Sequence, residues 1–384
     1  MHVSDSSPKV SVLVPICNVE KYLEKCLESA RVQTLTDIEI ICINDGSTDG
    51  SLKIIQSFRE RDERFRLIDK PNSGYGDSMN KGLDAARGEY VAILESDDFL
   101  DSDALEYMYQ KAIGSDLEVL KCNFWLYWSA PSSERMFRKN MYFSFASPEM
   151  VLMGAHRPVD YPYSFWGKAS IWSAIYKRSF LNDNSIRFLP TPGASYQDSS
   201  FTFKVLACAS RVAYSSKAFL HYRQDNENSS VNSKGKVYCT CEEHAEMERF
   251  LNEDRPDLKL ELDPIRARLK FLNYRWNYDR LGDKFKNEFL LRFSSEMREE
   301  IERGTISEEY FNGRFEKRLR KSPDLGHFKY FYDEEIEEIR QIAFDPAFYA
   351  TRRLCETSPS KIDTVKRYFN AGGLKYIIKV AKQR

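Results

Sequence analysis

The sequence predicts an α/β fold, a mostly parallel sheet with helices on both faces, followed by an α-helical domain. Three observations carry that expectation. Short apolar, β-branched runs alternate with amphipathic segments through roughly the first third of the chain. The rhythm then breaks into aromatic-rich loops. From about residue 236 the chain becomes charged, with apolar residues at helical spacing.

Lys9–Pro15 (KVSVLVP) reads as a buried strand, and Val19, Tyr22, Leu23, Cys26, Leu27 and Ala30 follow at helical spacing behind an Asn18 cap. The alternation continues with strand 38–44, helix 51–62, strand 65–69, helix 74–87, strand 90–95 and a helix over 102–113 capped by Ser102. Strand and helix in repeated alternation imply a parallel sheet covered on both faces. Beyond Trp128 the sequence suggests a helix near 170–182, another after Gln197 and two short strands near 211–223. In the last part, Phe271, Tyr274, Tyr278 and Leu281, and again Ile336, Ile339 and Ile342, form apolar helix faces. The expected division is residues 1–235 and 236–384.

Composition narrows the function. With 384 residues, 42% of them hydrophobic and 14% aromatic, the chain can build a sizeable core and is not disordered. Lys plus Arg (57) balances Asp plus Glu (58), so nothing in the overall field points to nucleic acid. The eight cysteines show no CxxC or His/Cys metal spacing and read as reduced core thiols. The polar N-terminus is unlike a signal peptide, and no run approaches the roughly 18 apolar residues of a spanning helix. The expectation is a protein of the cytoplasm or of the inner membrane face.

In open α/β sheets ligands bind beyond the carboxyl ends of the strands, so the residues after each strand carry the chemistry. Asp45 and Asp49, in Asn44-Asp45-Gly46-Ser47-Thr48-Asp49, could accept from a base N–H or could equally hold a turn and cap the next helix. Glu95-Ser96-Asp97-Asp98 sets three acids at one strand end. Such crowding is unfavourable unless something positive neutralises it, and a hard divalent cation bridging diphosphate oxygens would. The plainer alternative is a helix start that favours acids.

KVSVLVPICNVEKYLEKCLESA, INDGSTDGS and KPNSGYGDSMNKGLDAARGEYVAILESDDFLDSDALE, in that order, resemble glycosyltransferase family 2 across roughly residues 8 to 225. The resemblance implies a GT-A fold, a nucleotide-sugar donor that is usually a UDP-sugar, Mn²⁺ or Mg²⁺, and inversion at the anomeric carbon. By position it implies that Pro15 and Glu20 belong to the first donor loop, that Asp45 accepts from uracil, and that Asn72 and Gly74 lie beneath the nucleotide. Glu95-Ser96-Asp97 falls where the family has its DxD motif, which makes Asp97 the metal ligand and Ser96 a donor neighbour. Glu95 departs from the usual Asp, and its extra methylene carries the carboxylate about 1.5 Å further. Met79 stands where many members carry Arg.

An inverting transfer needs a general base at the acceptor hydroxyl. Gly193-Ala194-Ser195-Tyr196-Gln197-Asp198 resembles the family block that ends in Glu-Asp at a helix start, which makes Asp198 that base, with Gln197 replacing the common Glu. Trp166 is the candidate acceptor platform, while Trp172 and Tyr176, at helical spacing, read as core. His221-Tyr222-Arg223 resembles the family's late block, where a histidine can complete a metal site and a cation can hold diphosphate.

The expected function is transfer of a sugar from a UDP-sugar onto a glycan or lipid-linked glycan during surface or capsular glycan assembly. A nucleotidyltransferase is the rival enzyme, but Pro15-Ile16-Cys17-Asn18 lacks the Gly-rich, basic first loop expected of one. A catalytically inactive sugar-binding or scaffold module is the rival outside enzymes. Asp97 and Asp198 argue against it. In the tail, Leu374, Ile377, Ile378 and Ala381 share a helical face ringed by Lys375, Lys379, Lys382 and Arg384. That stripe suits peripheral contact with an anionic membrane less well than packing on the helical domain or a homodimer contact, because so short a segment buries little area in lipid.

Overall fold

The structure is a computed structural model that describes residues 7–194, 196–227, 236–307, 311 and 332–356. It divides into two compact units, Met1–Ser233 with Glu242–Leu258, and Lys234–Cys241 with Lys259–Arg384.

The first unit is built on β1 (Val10–Ile16), β2 (Ile38–Asp45), β3 (Phe65–Lys70) and β4 (Tyr90–Ile93), which pair in parallel in the order β3-β2-β1-β4. Every residue of β1, β2 and β4 is buried, as strands covered on both faces require. The connecting helices are α1 (Glu20–Arg31), α2 (Ser51–Arg61) and α3 (Tyr75–Ala85). Leu23, Cys26, Leu27 and Ala30 of α1 form the stripe turned to the core. Neither expected cap caps. Val19 holds the N-cap of α1, while Asn18 takes a left-handed backbone that its short polar side chain tolerates. The helix α4 (Ala104–Gly114) starts two residues past Ser102, with Asp103 at its N-cap.

Beyond β4 the sheet is mixed rather than parallel. Its order continues β8-β6-β9-β5, with β5 (Phe99–Leu100), β6 (Val119–Tyr127), β8 (Ala174–Lys177) and β9 (Val212–Arg223), while β7 (Asn140–Phe143) pairs β6. The strand β8 runs antiparallel to both β4 and β6. The helix expected near 170–182 is therefore a 3₁₀ turn at Ile171–Ser173, then β8, then only a short helix, α7 (Arg178–Asp183). Nearly all of this run is buried, so its apolar spacing cannot tell strand from helix. The two short strands near 211–223 are one, β9, whose register against β6 shifts twice near Asn123 and whose middle residues Ser216 and Lys217 are exposed. The remaining elements of this unit are α5 (Pro148–Leu152), α6 (Tyr163–Trp166), α8 (Asp198–Cys208) and most of α9 (Cys239–Arg249).

The second unit is helical, with α10 (Lys259–Arg280), α11 (Asp283–Glu302) and helices Tyr332–Phe344 and Pro346–Glu356. Phe271, Tyr274, Tyr278, Leu281, Ile339 and Ile342 meet in one core with Phe289, Phe293 and Tyr349, and Ile336 packs against it partly buried. The amphipathic tail read at 365–384 lies outside the described residues. The seven cysteines whose surroundings are described form no disulfide. No described helix is long and apolar enough to cross a membrane.

Candidate active site

A cleft of about 530 Å³ opens beyond the carboxyl ends of β1, β2 and β4. Its walls include Glu20, Asp49, Tyr75, Glu95, Ser96, Asp97, Trp172, Gln197, Asp198, Tyr222 and Asn226.

The first wall is two loops zipped together. Asp49 accepts from the Glu20 N–H at 2.9 Å and Glu20 accepts from the Gly50 N–H, so each acid satisfies the start of the other's helix. Asn18 accepts from the Thr48 N–H at 2.8 Å, and Ser51 Oγ accepts from the Val19 N–H at 3.1 Å. The opposite wall is the loop before α8. It presses on α3 at Gly74 and Gly76, where an added Cβ would lie 2.6 Å from Thr191 O and 2.0 Å from Leu189 O. Gln197 Nε2 pins the loop by donating to Thr191 Oγ1 at 2.8 Å and Gly193 O at 3.1 Å.

The acids lie between these walls. Tyr75 OH donates to Glu95 Oε1 at 2.6 Å. Burial, with Asp97 and Asp198 nearby, nevertheless pushes the Glu95 carboxyl up to about 8. Asn226 Nδ2 donates to Asp97 Oδ2 at 2.7 Å, and Arg223 Nε donates to the Asp97 carbonyl at 2.9 Å. Asp98 is buried, and that burial together with Asp97 holds its carboxyl well above the usual range. Its Oδ1 accepts from the Arg223 N–H at 2.8 Å, while its Oδ2 is buried without a hydrogen bond. Asp198, the first residue of α8, is raised by burial and lowered by Lys168 and then Lys121. Burial in turn pulls the Lys121 ammonium down to about 7.

Seven expected site residues do not line the cleft. Asp45 does not line the cleft: its buried carboxylate accepts from Lys70, from the Ser73 N–H at 2.8 Å and from the Gly74 N–H at 3.0 Å, fixing the loop after β3. Pro15 is buried in β1 opposite Ile43. His221 does not line the cleft: Nε2 faces Asp101 at 3.0 Å, Nδ1 faces Asn140 at 3.0 Å, and the ring stacks on Phe99. The Arg223 guanidinium is buried behind Asp97, donating also to Ser129 Oγ at 2.7 Å and lying over the Tyr22 ring. It braces the acids from behind rather than facing the cleft. Trp166 lies outside the cleft in α6, and Trp172, stacked on Tyr222 at 4.8 Å, lines it instead. Asn72 and Gly74 serve the Asp45 loop, with Asn72 Nδ2 donating to Asp45 O at 3.0 Å.

Tyr75, Asn226, Lys121, Lys168 and Glu243 were not foreseen. Only Tyr75, directly after Gly74 at the start of α3, sat where a site residue could have been sought. Glu243 of α9 accepts from the Ser200 N–H at 3.1 Å, capping the first turn of α8 and so the helix end that carries Asp198. Burial pushes its carboxyl up to about 8. Glu243→Gln, which keeps the acceptor, should change stability little, whereas Glu243→Ala should cost about 1–2 kcal/mol in urea unfolding, the size of a lost cap. Equal stability of the two variants would show that the bond does not hold the helix end.

Residues 11–162 match the family model described as "Glycosyl transferase family 2". That stretch, residues 11–162, is a glycosyltransferase family 2 segment. The chain is 32% identical over 236 residues to the "Uncharacterized glycosyltransferase EpsJ" of Bacillus subtilis (strain 168), a match spanning 58% of this chain and 62% of that protein. It is 43% identical over 99 residues, 26% of this chain and 14% of the other, to "Chondroitin synthase" of Escherichia coli. The curated relatives are thus matched over less than two thirds of their own length. Its fold is that of S. aureus TarS 1-349, solved in complex with UDP-GlcNAc, at a TM-score of 0.62 and 20% identity over 90% of this chain and 92% of the other. The architecture is GT-A with a helical C-terminal region.

Proposed function

We propose that this chain transfers a sugar, with inversion, from a UDP-sugar to an acceptor hydroxyl in the assembly of a surface or capsular glycan. The observation that carries the reading is the meeting of Asp97, in the loop after β4, and Asp198, at the start of α8, in one cleft. Asp198 would take the acceptor proton as the acceptor oxygen bonds to the anomeric carbon and the bond to the diphosphate breaks. Lys168 and Lys121 favour its ionised form. Trp172 and Tyr222, stacked on one another, form an aromatic part of the cleft wall against which a sugar could pack.

The acids fit a divalent cation, Mn²⁺ or Mg²⁺. Glu95, Asp97 and Asp98 crowd one strand end, and Asp98 Oδ2 is buried without a partner. No three His, Cys, Asp or Glu among the described residues form a complete ligand set. Asp97, with Glu95 beside it, would therefore share the ion with diphosphate oxygens. Bound there, the ion would neutralise the leaving diphosphate. Asn226 and Arg223 hold Asp97 in place for that purpose, and Tyr75 holds Glu95.

We read residues 1–235 as the catalytic domain and 236–384 as a helical domain, working in the cytoplasm or on the inner membrane face. The acceptor is read as a glycan or lipid-linked glycan. A panel of nucleotide sugars tested by thermal unfolding with and without Mn²⁺ checks the donor. A UDP-sugar at about 100 times its dissociation constant should stabilise the protein by about 2.7 kcal/mol, a rise of several degrees, and only with the ion. Stabilisation by other nucleotide sugars alone would overturn the donor, and none by any of them would overturn the reading.

A further inference from the structure

The hairpin joining β6 to β7 carries an exposed apolar tip that no step of the transfer uses. Met136 and Phe137 are 70% and 75% exposed, the two at the turn itself. Both hold a left-handed backbone that bulky side chains rarely adopt. Arg138 and Lys139 follow, exposed, and neither is paired with a carboxylate among the described residues. Arg135 precedes them, its guanidinium 4.3 Å above the Trp128 ring and donating to Ala130 O at 2.7 Å. Glu134 is the one acid among these residues.

The tip is rooted at the rim of the cleft. The Trp128 N–H donates to Lys139 O at 2.9 Å and closes the hairpin base. The Ser129 N–H donates to Asp225 Oδ2 at 2.7 Å, and Asn226 and Glu227, the next two residues, line the cleft.

We propose that this tip docks the first unit on an anionic membrane surface, Met136 and Phe137 entering the headgroup layer and Arg138, Lys139 and Arg135 meeting lipid phosphates. An apolar pair flanked by cations is what the bilayer interface accepts, because the apolar side chains leave water while the cations keep their hydration and gain a negative surface. Charge complementarity sets the choice of occupant: an apolar pocket on a protein would take Phe137 without calling for the cations. Docking here would set the cleft mouth beside the bilayer. The inference does not rest on the transfer chemistry, since it concerns binding alone.

The test is cosedimentation of the full chain with phosphatidylcholine vesicles, with and without phosphatidylglycerol, at low salt. The chain should sediment with the anionic vesicles and little with the neutral ones. Phe137→Asp should abolish sedimentation, and Arg138→Gln with Lys139→Gln should weaken it about 25-fold, at about fivefold per cation. Both variants should keep wild-type melting temperatures, since the residues are exposed. No sedimentation of the wild type, or sedimentation that survives Phe137→Asp, overturns the proposal, the latter assigning lipid binding to another segment. Capture of the tip by an acidic glycan in place of vesicles would overturn it too.

Discussion

Replacing Asp198 with Asn should cut transfer on the order of 10²–10⁴-fold while leaving UDP-sugar binding nearly unchanged. The amide is isosteric, so the start of α8 keeps its shape, but it cannot take a proton. Asp198 is the titratable group in the cleft from the α8 side, and the groups facing it come from several elements: Glu95 after β4, Tyr75 of α3, Tyr176 of β8, Lys121 of β6, Lys168, and Glu243 of α9. Burial raises its pKa, and the base works only when ionised. Wild-type turnover should therefore climb as pH rises through that raised value, and the residual turnover of Asp198→Asn should lack this limb. Single-turnover transfer measured across pH, alongside donor titration, separates the outcomes. Near-normal transfer by the variant would remove Asp198 as base, and lost donor binding would show that the residue serves the nucleotide instead.

How much of this was legible in the sequence differs by element. The parallel half was readable because β1, β2 and β4 are buried on both faces and the helices between them carry one apolar stripe each. That Asp97 and Asp198 line the cleft was legible, because acids in the loop after a strand or opening a helix fall at the ligand-facing edge of such a sheet. The failures share a cause. Asp45, His221 and Arg223 were assigned by their positions along the chain, but a side chain's partners are set by what folds against it. Lys70 and two backbone N–H groups occupy Asp45, Asp101 and Asn140 occupy His221, and Ser129 and the Asp97 carbonyl occupy Arg223. All these partners lie 25 or more residues away in sequence. Trp172 is core as its spacing suggested, and a residue so nearly buried also forms part of the cleft wall, which spacing alone does not reveal.

Asp97→Ala should abolish the metal-dependent part of donor binding and lower turnover together, because the same carboxylate would serve both. The loss should reach several kcal/mol of transition-state stabilisation, on the order of 10²-fold or more in turnover. The alanine also strips Asn226 of its acceptor, so the variant alone confounds lost charge with a loosened 225–227 segment. Asp97→Asn resolves this. Its amide oxygen can still accept from Asn226 Nδ2, yet it carries no charge, so it should fail nearly as badly as alanine if the charge is what matters. Fold integrity is not at stake in either variant, since removing one acid from the Glu95, Asp97 and Asp98 cluster relieves repulsion there. Calorimetry of UDP binding with and without Mn²⁺ reads the difference directly. In the wild type the ion should tighten UDP binding, and in both variants it should not. Unchanged Mn²⁺-dependent binding in Asp97→Asn would move the ion to other ligands, and full recovery of turnover in Asp97→Asn over Asp97→Ala would make Asp97 a positioning group for Asn226 rather than a seat for a cation.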